Sequence, residues 1–371
     1  MRRLIRTFLC IAVFSMVLPQ LPGFAQNAAP AGVHPTTTAP PYGIAAMRPV
    51  FAGACKACPW GVLGKVTADA LRPYGYNVQN CWVCWSMYGP REMGDKTFPV
   101  MPPADDVNDP VYAEMPPQAV PDLSATMESL LVAAWNGTGP FAKDHKQRHN
   151  YRVIAVVRNT SYLMAAASKK SGITSLWQIK DRKEPTWIAA GPGGIDPDVF
   201  NYYGIKVEDL KAKGGGILPA VGPSPGQITR EQRAAADVFI SAGLLVNTPE
   251  QRVWYEASQL SDLVFLDFDE ALLAKLAQVP GMERVTIPLA ILRGVDRSIP
   301  SIVQPNTFIY ARDDTPDSFA YAVAKALDEQ RHLFREQMMA WYYDTNHVAD
   351  SKVIPMHPGA MKYYRERGYV K

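Results

Sequence analysis

Two pairs of cysteines carry the most specific chemistry in this sequence. Cys55 and Cys58 form one Cys-x-x-Cys pair, and Cys81 and Cys84 form the other. Three uses fit this spacing: structural disulfides, a four-cysteine zinc site and a redox-active dithiol. Neither pair is followed by histidine, which excludes covalent haem attachment at the level of the motif. The sequence leaves three disulfide pairings open.

The amino terminus favours disulfides, because it predicts export. Three arginines precede an apolar run, Phe8 to Leu18, that is too short to span a bilayer, and small residues at Gly23 and Ala25 suit a signal peptidase. We therefore predict a signal peptide over residues 1–25 and a periplasmic location. An oxidising compartment weighs against a zinc site. The redox interpretation lacks a cysteine pair that opens a helix in a small domain.

Aromatic, glycine and small polar residues fall in segments that we expect to face a ligand. Aromatic walls suit an apolar or aromatic solute, and the backbone amides of a glycine-rich turn suit a carboxylate. Two alternatives stay open: the tryptophans pack a lobe, and the polar residues cap turns. The predicted ligand-binding residues are Trp60, Trp85, Trp135, Asn136, Thr138, Gly191, Gly193, Gly194 and Ser241.

Charged residues offer fewer candidates. Arg158 and Arg293 are candidate carboxylate clamps, because a guanidinium binds a carboxylate through two parallel hydrogen bonds. The acidic run Asp267–Glu270 precedes a predicted helix, where the helix dipole favours acids, so we interpret it as structural. We expect His357 to lock a turn of the fold. No nucleophile elbow, phosphate loop or zinc-protease motif is present, so we predict no enzyme activity, no metal and no cofactor.

The elements that position these residues alternate between strand and helix, which predicts an α/β fold with mainly parallel sheets. Seven prolines from residue 99 to residue 121 forbid regular structure there, so the segment 87–121 is either a lid or a surface excursion. The predicted strands are 48–54, 76–82, 152–157, 186–190, 237–240, 263–266 and 307–311. The predicted helices are 60–71, 130–135, 175–179, 269–277 and 317–340.

Charge and length exclude some protein classes. The chain has 38 basic and 35 acidic residues, and removal of residues 1–25 with their three arginines leaves 35 of each. A neutral mature chain has no electrostatic footprint for nucleic acid or anionic membrane. Its length, roughly 345 residues, exceeds what one hydrophobic core usually supports, so we expect two lobes.

Four segments resemble the TAXI family, the solute-binding subunits associated with TRAP-type transporters. The tail at 356–368 (MHPGAMKYYRERG) is similar to the family's ending, and residues 134–141 (AWNGTGPF) resemble its Ala-Tyr-Asn-Gly-Thr-Gly segment. Residues 151–157 with 171–176 (YRVIAVV and SGITSL) resemble a strand and a helix start. Residues 190–194 (AGPGG) resemble the turn that opens the second lobe.

The resemblance implies a two-lobed periplasmic binding protein of the type II-like architecture, with hinge strands and an interlobe ligand cleft. Lobe 1 would hold 48–180 plus 300–371 and lobe 2 would hold 181–299, after a flexible leader at 26–47. The implied partners are a small carboxylate solute and the membrane permease subunits of a TRAP-type transporter, with the chain itself a monomer. The sequence departs from the family at 54–61 and 81–86, the two cysteine loops.

Two functions from different classes follow. The first is capture of a small organic solute for a TRAP-type transporter, with a sensory role as a variant in which a membrane receptor detects closure. The alternative is a periplasmic thiol–disulfide or zinc-binding protein that uses Cys55, Cys58, Cys81 and Cys84. Zinc content and thiol reactivity separate the two.

Overall fold

The computed structural model describes residues 47–53, 59–81, 89–97, 120–190, 196–219, 235–244, 253–337 and 342–371. All of them belong to one compact unit, Thr37–Lys371. The predicted signal peptide lies outside the described residues, as do most of the leader and most of the proline-rich segment. The predicted site residues that also lie outside them are Cys55, Cys58, Cys84, Trp85, Gly191, Gly193 and Gly194.

Strands and helices alternate along most of the described chain, which confirms the α/β class. The strands are β1 Val50–Ala52, β2 Gln79–Cys81, β3 Leu123–Met127, β4 Tyr151–Ser168, β5 Trp187–Ala190, β6 Gly216–Pro219, β7 Val238–Leu244, β8 Leu263–Phe265, β9 Glu283–Ile287 and β10 Ile299–Arg312. The helices are α1 Pro59–Leu71, α2 Gly89–Asp95, α3 Glu128–Asn136, α4 Gln178–Asp181, α5 Asp196–Tyr203, α6 Val207–Ala212, α7 Val253–Leu260, α8 Glu270–Leu276, α9 Asp317–Glu329, α10 His332–Glu336 and α11 Pro358–Glu366.

Glycines end two of the helices at the predicted positions. Helix α1 buries the apolar residues that recur at helical spacing, and the 3-10 turn that follows it closes at Gly75, whose φ is +85°. Helix α3 closes at Gly137, whose φ is +67° and whose N–H donates to the carbonyls of Ala133 and Ala134. Glycine adopts this left-handed conformation without steric cost, so both stops follow from residue type.

One mixed sheet runs through the described residues, in the order β2-β1-β3-β10-β4-β7-β5-β6, with β8 against β4 and β9 against β10. Strands β1, β2 and β3 are parallel to one another, and so are β5, β6 and β7. The central strand β10 is antiparallel to β3, β4 and β9, and β4 is antiparallel to β7 and β8. The predicted mainly parallel sheet is therefore correct for the outer strands and wrong for the centre.

The two central strands are much longer than the sequence predicted. Strand β4 has 18 residues and β10 has 14, where we predicted strands at 152–157 and 307–311. Each strand runs from one half of the sheet into the other, and their pairing shifts register between Gln304 and Asn306. A register shift of this kind bends a strand, so β4 and β10 form the hinge that the two-lobed prediction requires.

Hydrophobic clusters divide the molecule into two lobes along these strands. Alternate residues of a strand point to opposite faces of the sheet. In the first half of β4, Val157 packs in a cluster with residues of α1, α9 and α11. Its neighbour Val156 packs in a different cluster with residues of α2 and α3. In the second half, Leu163 packs with residues of α5 and α8, and Met164 packs on the opposite face with residues of α7. Each lobe is thus a sheet covered on both faces.

Residues after Ser161, including Ile173 and Ile179, pack in the cluster built on the second half of β4. The assignment of 48–180 plus 300–371 to lobe 1 and of 181–299 to lobe 2 stays a prediction. The chain crosses between lobes near residues 158–161 and 304–306, which is where the pairings of β4 and β10 change neighbours. The predicted helix at 317–340 is also divided, because α9 ends at Glu329 and α10 begins at His332.

Candidate ligand cleft

The carboxyl ends of six strands face the hinge, and those of β3 and β7 reach it. Strand β3 ends at Met127, which pairs with Thr307 of β10, and β7 ends at Leu244, which pairs with Ser161 of β4. Strands β1 and β2 run in the direction of β3, and β5 and β6 run in the direction of β7. Ligands bind α/β sheets outside the carboxyl ends of the strands and also between domains. Both rules select the same place here.

Three helices begin after strands whose carboxyl ends face the hinge. Helix α3 begins at Glu128 directly after β3, α1 begins seven residues after β1 ends, and α5 begins six residues after β5 ends. The first N–H groups of a helix have no partner within the helix and carry partial positive charge. An anion is stabilised at helix ends of this kind.

A chain of polar side chains crosses the hinge at the same level. The Arg158 guanidinium donates from Nη1 to Oδ1 of Asn306 at 2.9 Å, and Asn306 donates from Nδ2 to Oε2 of Glu128 at 2.7 Å. These residues belong to β4, β10 and the first turn of α3, so the chain links both hinge strands to a helix of the first lobe. Asn306 is the strand partner of Arg158 in the β10–β4 pairing, which places their side chains side by side.

Burial disfavours the charged form of Glu128. Its side chain is almost inaccessible, and desolvation raises the pKa of the carboxyl above its ordinary value, with a further rise from the nearby Glu283. The hydrogen bond from Asn306 and the positive charges of Lys352 and Arg158 oppose that rise without cancelling it. No described cation forms a direct ion pair with Glu128.

The register shift beside this chain holds a buried amide. Gln304 is 4% exposed, and its Oε1 accepts no hydrogen bond from the described residues. Its strand partner Ser161 is 5% exposed and lies beside Leu244, the end of β7. A buried acceptor without a partner is costly in a stable fold, and such groups deserve a functional or solvent explanation.

Trp60 lies near the cleft end of the first lobe. It is in the first turn of α1, its carbonyl is 3.2 Å from the position that a Cβ on Gly53 would take, and its ring is partly buried against the first lobe's core. Helix α1 begins at Pro59, one residue before the predicted start at residue 60, so Trp60 lies in the helix. Its position next to the end of β1 keeps it available to the cleft.

The structure does not bring Trp135, Asn136 and Thr138 to the hinge. Helix α3 begins at the hinge, so its last residues lie about 12 Å away along its axis. Trp135 packs on His149, with ring centroids 4.6 Å apart, and near Tyr151 at the far end of β4. The helix predicted at 130–135 is present, but its end lies away from the hinge, so Trp135 packs at the outer end of the first lobe. Asn136 is the last residue of this helix, and Thr138 precedes the next turn.

Ser241 also differs from its predicted position. We expected a strand-to-helix turn after Ile240, but β7 continues to Leu244 because β4 extends beside it. Ser241 is paired with Met164 inside the sheet and is 3% exposed. Leu244, the last residue of β7, lies at the cleft position that we had expected for Ser241.

Of the two candidate clamps, only Arg158 lies at the hinge. Arg293 forms an ion pair with Asp262 and donates to the carbonyl of Ser258 at 2.9 Å, on the surface of the second lobe. Sequence reasoning missed Asn306, Glu128 and Gln304. The sequence does show polar residues that interrupt two apolar runs at 158–161 and 304–306, but it does not show that Asn306 and Glu128 meet.

The acidic run before α8 is structural, as predicted. Asp267 pairs with Arg297 at 2.7 Å, and Asp269 accepts from Trp177 Nε1 at 3.1 Å and from the hydroxyl of Tyr202 at 3.3 Å. Within the described ranges, no three His, Cys, Asp or Glu side chains are grouped as metal ligands. In the same ranges no helix combines the length and apolar character that a membrane span requires.

Comparison with solved structures returned proteins of similar length and low identity. MatC from Rhodopseudomonas palustris with bound malate has a TM-score of 0.42 and 11% identity, over 79% of this chain and 89% of that one. A TctC solute binding protein from Polaromonas has a TM-score of 0.38 and 11% identity, over 80% and 90%. A periplasmic substrate-binding protein of an ABC transporter from Coxiella burnetii has a TM-score of 0.36 and 13% identity, over 80% and 98%.

The search of curated proteins returned no match. A family model, that of the NMT1-like family, matches residues 118–368, which is more than half of the chain and includes both hinge strands. The narrower TAXI resemblance stays a prediction. This chain belongs to the NMT1-like family.

Proposed function

We propose that this chain is a periplasmic solute-binding protein, which captures a small organic solute between its two lobes and delivers it to a membrane transporter. The observation that carries the proposal is that six strand ends, three from each lobe, face a hinge made of two continuous strands. A hinge of this kind lets two rigid lobes close around a ligand that contacts both. The ligand shifts the open–closed equilibrium by its higher affinity for the closed form.

We propose a carboxylate as the solute's polar group, on an organic body that is aromatic or apolar. Helix amino termini and Arg158 favour an anion at the hinge. Trp60 supports an apolar wall on the first-lobe side. The contacts proposed from outside the described residues are Trp85, Gly191, Gly193 and Gly194. The partners in this proposal are the permease subunits of a TRAP-type transporter, with the binding protein a monomer.

We propose structural disulfides at the two cysteine loops, which would stiffen one wall of the cleft. Strands β1 and β2 are adjacent and parallel, with Ala52 beside Cys81, so the segments that continue from them start about 4.8 Å apart. Disulfides need Cα atoms within about 7 Å. Cys81 is fully buried. Its candidate partners Cys55, Cys58 and Cys84 lie outside the described residues.

Thermal unfolding in a solute library tests the function. A ligand that binds only the folded state at 100 times its Kd adds about 2.7 kcal/mol to the free energy of unfolding. The library holds L-malate, L-glutamate, 2-oxoglutarate, aromatic acids and neutral controls. We expect a small set of related solutes to raise the midpoint temperature by several degrees. A uniform absence of shifts, together with stoichiometric zinc in the purified protein, would support the thiol or zinc alternative.

A further inference from the structure

The guanidinium of Arg158 is fixed at the hinge by one hydrogen bond, and its other donors have no partner among the described residues. Among the described residues its side chain donates only to Asn306, through Nη1. An arginine has five N–H donors in a planar fork, and one edge of that fork matches the two oxygens of a carboxylate. Arg158 is half-buried, so an anion on that edge would be partly shielded from water.

Asn306 lies between Arg158 and the carboxylate of Glu128. Glu128 contacts Asn306 and not the guanidinium itself, so the carboxylate fixes the geometry of the arginine without occupying its fork. A direct ion pair would compete with a ligand for the same donors. The amide of Asn306 has one donor and one acceptor side, and here it uses the acceptor for Arg158 and the donor for Glu128.

We propose that Arg158 binds the anionic group of the solute, that Asn306 positions its guanidinium, and that Glu128 takes up a proton from solvent when the anion binds. This deepens the proposed function and rests on it. Asn306 and Glu128 act through Arg158, so they are positioning residues with no contact to the solute.

The proton uptake follows from the charges around Glu128. The groups that face it are Asn306 on β10, Arg158 on β4, Glu283 at the start of β9 and Lys352 before α11. Two of them are cations, and one of these, Arg158, is the group that the anion neutralises. Binding therefore removes part of the positive field at a buried carboxylate and adds a negative charge nearby.

The sign of the linkage is fixed by these charges. The pKa of Glu128 is already raised by burial, and the bound anion raises it further. Between the two pKa values the free protein carries a carboxylate and the complex carries a carboxylic acid, so one proton enters per solute. Affinity then increases as pH falls through that window and becomes constant below it.

Isothermal titration calorimetry tests the assignment. The probes are L-malate, L-glutamate and 2-oxoglutarate, each titrated at one pH in two buffers of different ionisation enthalpy, because the difference in heat gives the protons taken up. Arg158→Ala should weaken binding about 30-fold or more, as expected for removal of one partner of a desolvated charge pair. Asn306→Ala should weaken it about tenfold.

Glu128→Gln separates positioning from structure. The glutamine keeps an oxygen that accepts from Asn306, so the fold and the Arg158 geometry are retained. It has no proton to gain, so uptake should fall to zero and affinity should become independent of pH in this window. Arg293→Ala is the matched control, since that arginine is engaged on the surface of the second lobe, and it should bind the probe as the wild type does.

Each other outcome decides against the proposal in a defined way. Binding that Arg158→Ala leaves unchanged would overturn the assignment and leave the proposed function standing. Proton uptake that persists in Glu128→Gln would overturn the role of Glu128. If none of the three carboxylates binds but the protein co-purifies with a neutral solute, the anion site is wrong and the binding function is right. If no solute of any class binds, both fail.

Discussion

Gly281 of the second lobe packs against Glu128 of the first, so the two lobes touch beside the hinge. A Cβ at Gly281 would lie 2.9 Å from Cγ of Glu128 and 2.9 Å from the backbone nitrogen of Ser129. Real Cβ atoms do not approach that closely, and the φ of Gly281 is +78°. Only glycine satisfies both conditions.

Gly281→Ala should therefore destabilise the protein for two reasons. The left-handed conformation costs about 1–2 kcal/mol for a residue with a Cβ. The contact with Glu128 adds about 1–3 kcal/mol of overpacking or forces the lobes apart. Chemical denaturation measures the sum. Gly172→Ala is the matched control, since its φ is +69° and nothing lies within 4 Å of its Cβ position. Equal losses in the two variants would mean that the Gly281 contact carries no free energy.

Arg148 fastens the carboxyl end of α2 to the first lobe. Its guanidinium is 2% exposed and bonds Asp95 at 2.9 Å and Asp144 at 2.9 Å. Arg148→Met should cost about 2–3 kcal/mol of unfolding free energy, at the lower end for a broken buried pair because both carboxylates keep some solvent contact. Arg72→Ala, which breaks an exposed pair with Asp69, should cost less than about 1 kcal/mol.

The same network makes a prediction about acid unfolding. Burial alone would raise the pKa of Asp95, but hydrogen bonds from Arg148 and Lys146 outweigh it and hold that pKa below its ordinary value. The hydrogen bond from Arg91, followed by that from Arg148, lowers the pKa of Asp144. Both carboxylates stabilise the fold above their unfolded pKa of about 3.9 and lose that effect as pH falls through the folded value. Denaturant melts from pH 6 to 2 should show a smaller acid-dependent loss in Arg148→Met.

His357 locks the carboxyl-terminal helix, as the sequence predicted. It is 1% exposed, its Nδ1 accepts from the N–H of Gly359 at 3.2 Å, and its Nε2 lies 3.0 Å from the carbonyl of Thr315. This arrangement needs a neutral ring that is protonated on Nε2. Burial lowers the pKa of His357, so it stabilises the fold above its unfolded pKa of about 6.5 and this effect is lost as pH falls below that value.

His357→Asn tests that interpretation. Asparagine retains an N-cap acceptor and has no charge to gain, so the variant should lose less stability than the wild type between pH 7 and pH 5. Thermal melts across that range measure the difference. His332→Gln, at an exposed position on α10, serves as the control. Parallel profiles for wild type and His357→Asn would contradict a neutral buried ring.

The cysteine loops give a prediction in mass and stability. With Cys55, Cys58, Cys81 and Cys84 in two disulfides, the denatured mature chain should weigh about 4 Da less than the reduced chain. Reduction should lower the unfolding free energy by about 2–5 kcal/mol per bridge. An intact mass that corresponds to four reduced cysteines, together with bound zinc, would contradict the disulfides.

The ends of local elements could be predicted from the sequence, and the centre of the sheet could not. Helix stops at Gly75 and Gly137 follow from residue type, and β1, α1 and β2 were all expected close to where they lie. Their parallel pairing follows from the short helical crossover.

The hinge strands were predicted too short because their middles are polar. Arg158 to Ser161 and Gln304 to Asn306 interrupt the apolar runs, which indicates a strand end when only local periodicity is considered. These residues lie between the hydrophobic cores of the two lobes, so their side chains do not need to be apolar. For the same reason the cleft chain of Arg158, Asn306 and Glu128 was out of reach, since its members are joined by antiparallel pairings across 148 and 178 residues.

Native mass spectrometry of the mature protein, purified from periplasm without reductant, tests the central claim most directly. The account predicts one non-covalent small organic molecule per chain, released on denaturation and identifiable by its mass. A chain that carries no organic solute and retains zinc on four thiols would contradict solute capture and favour the metal-binding alternative.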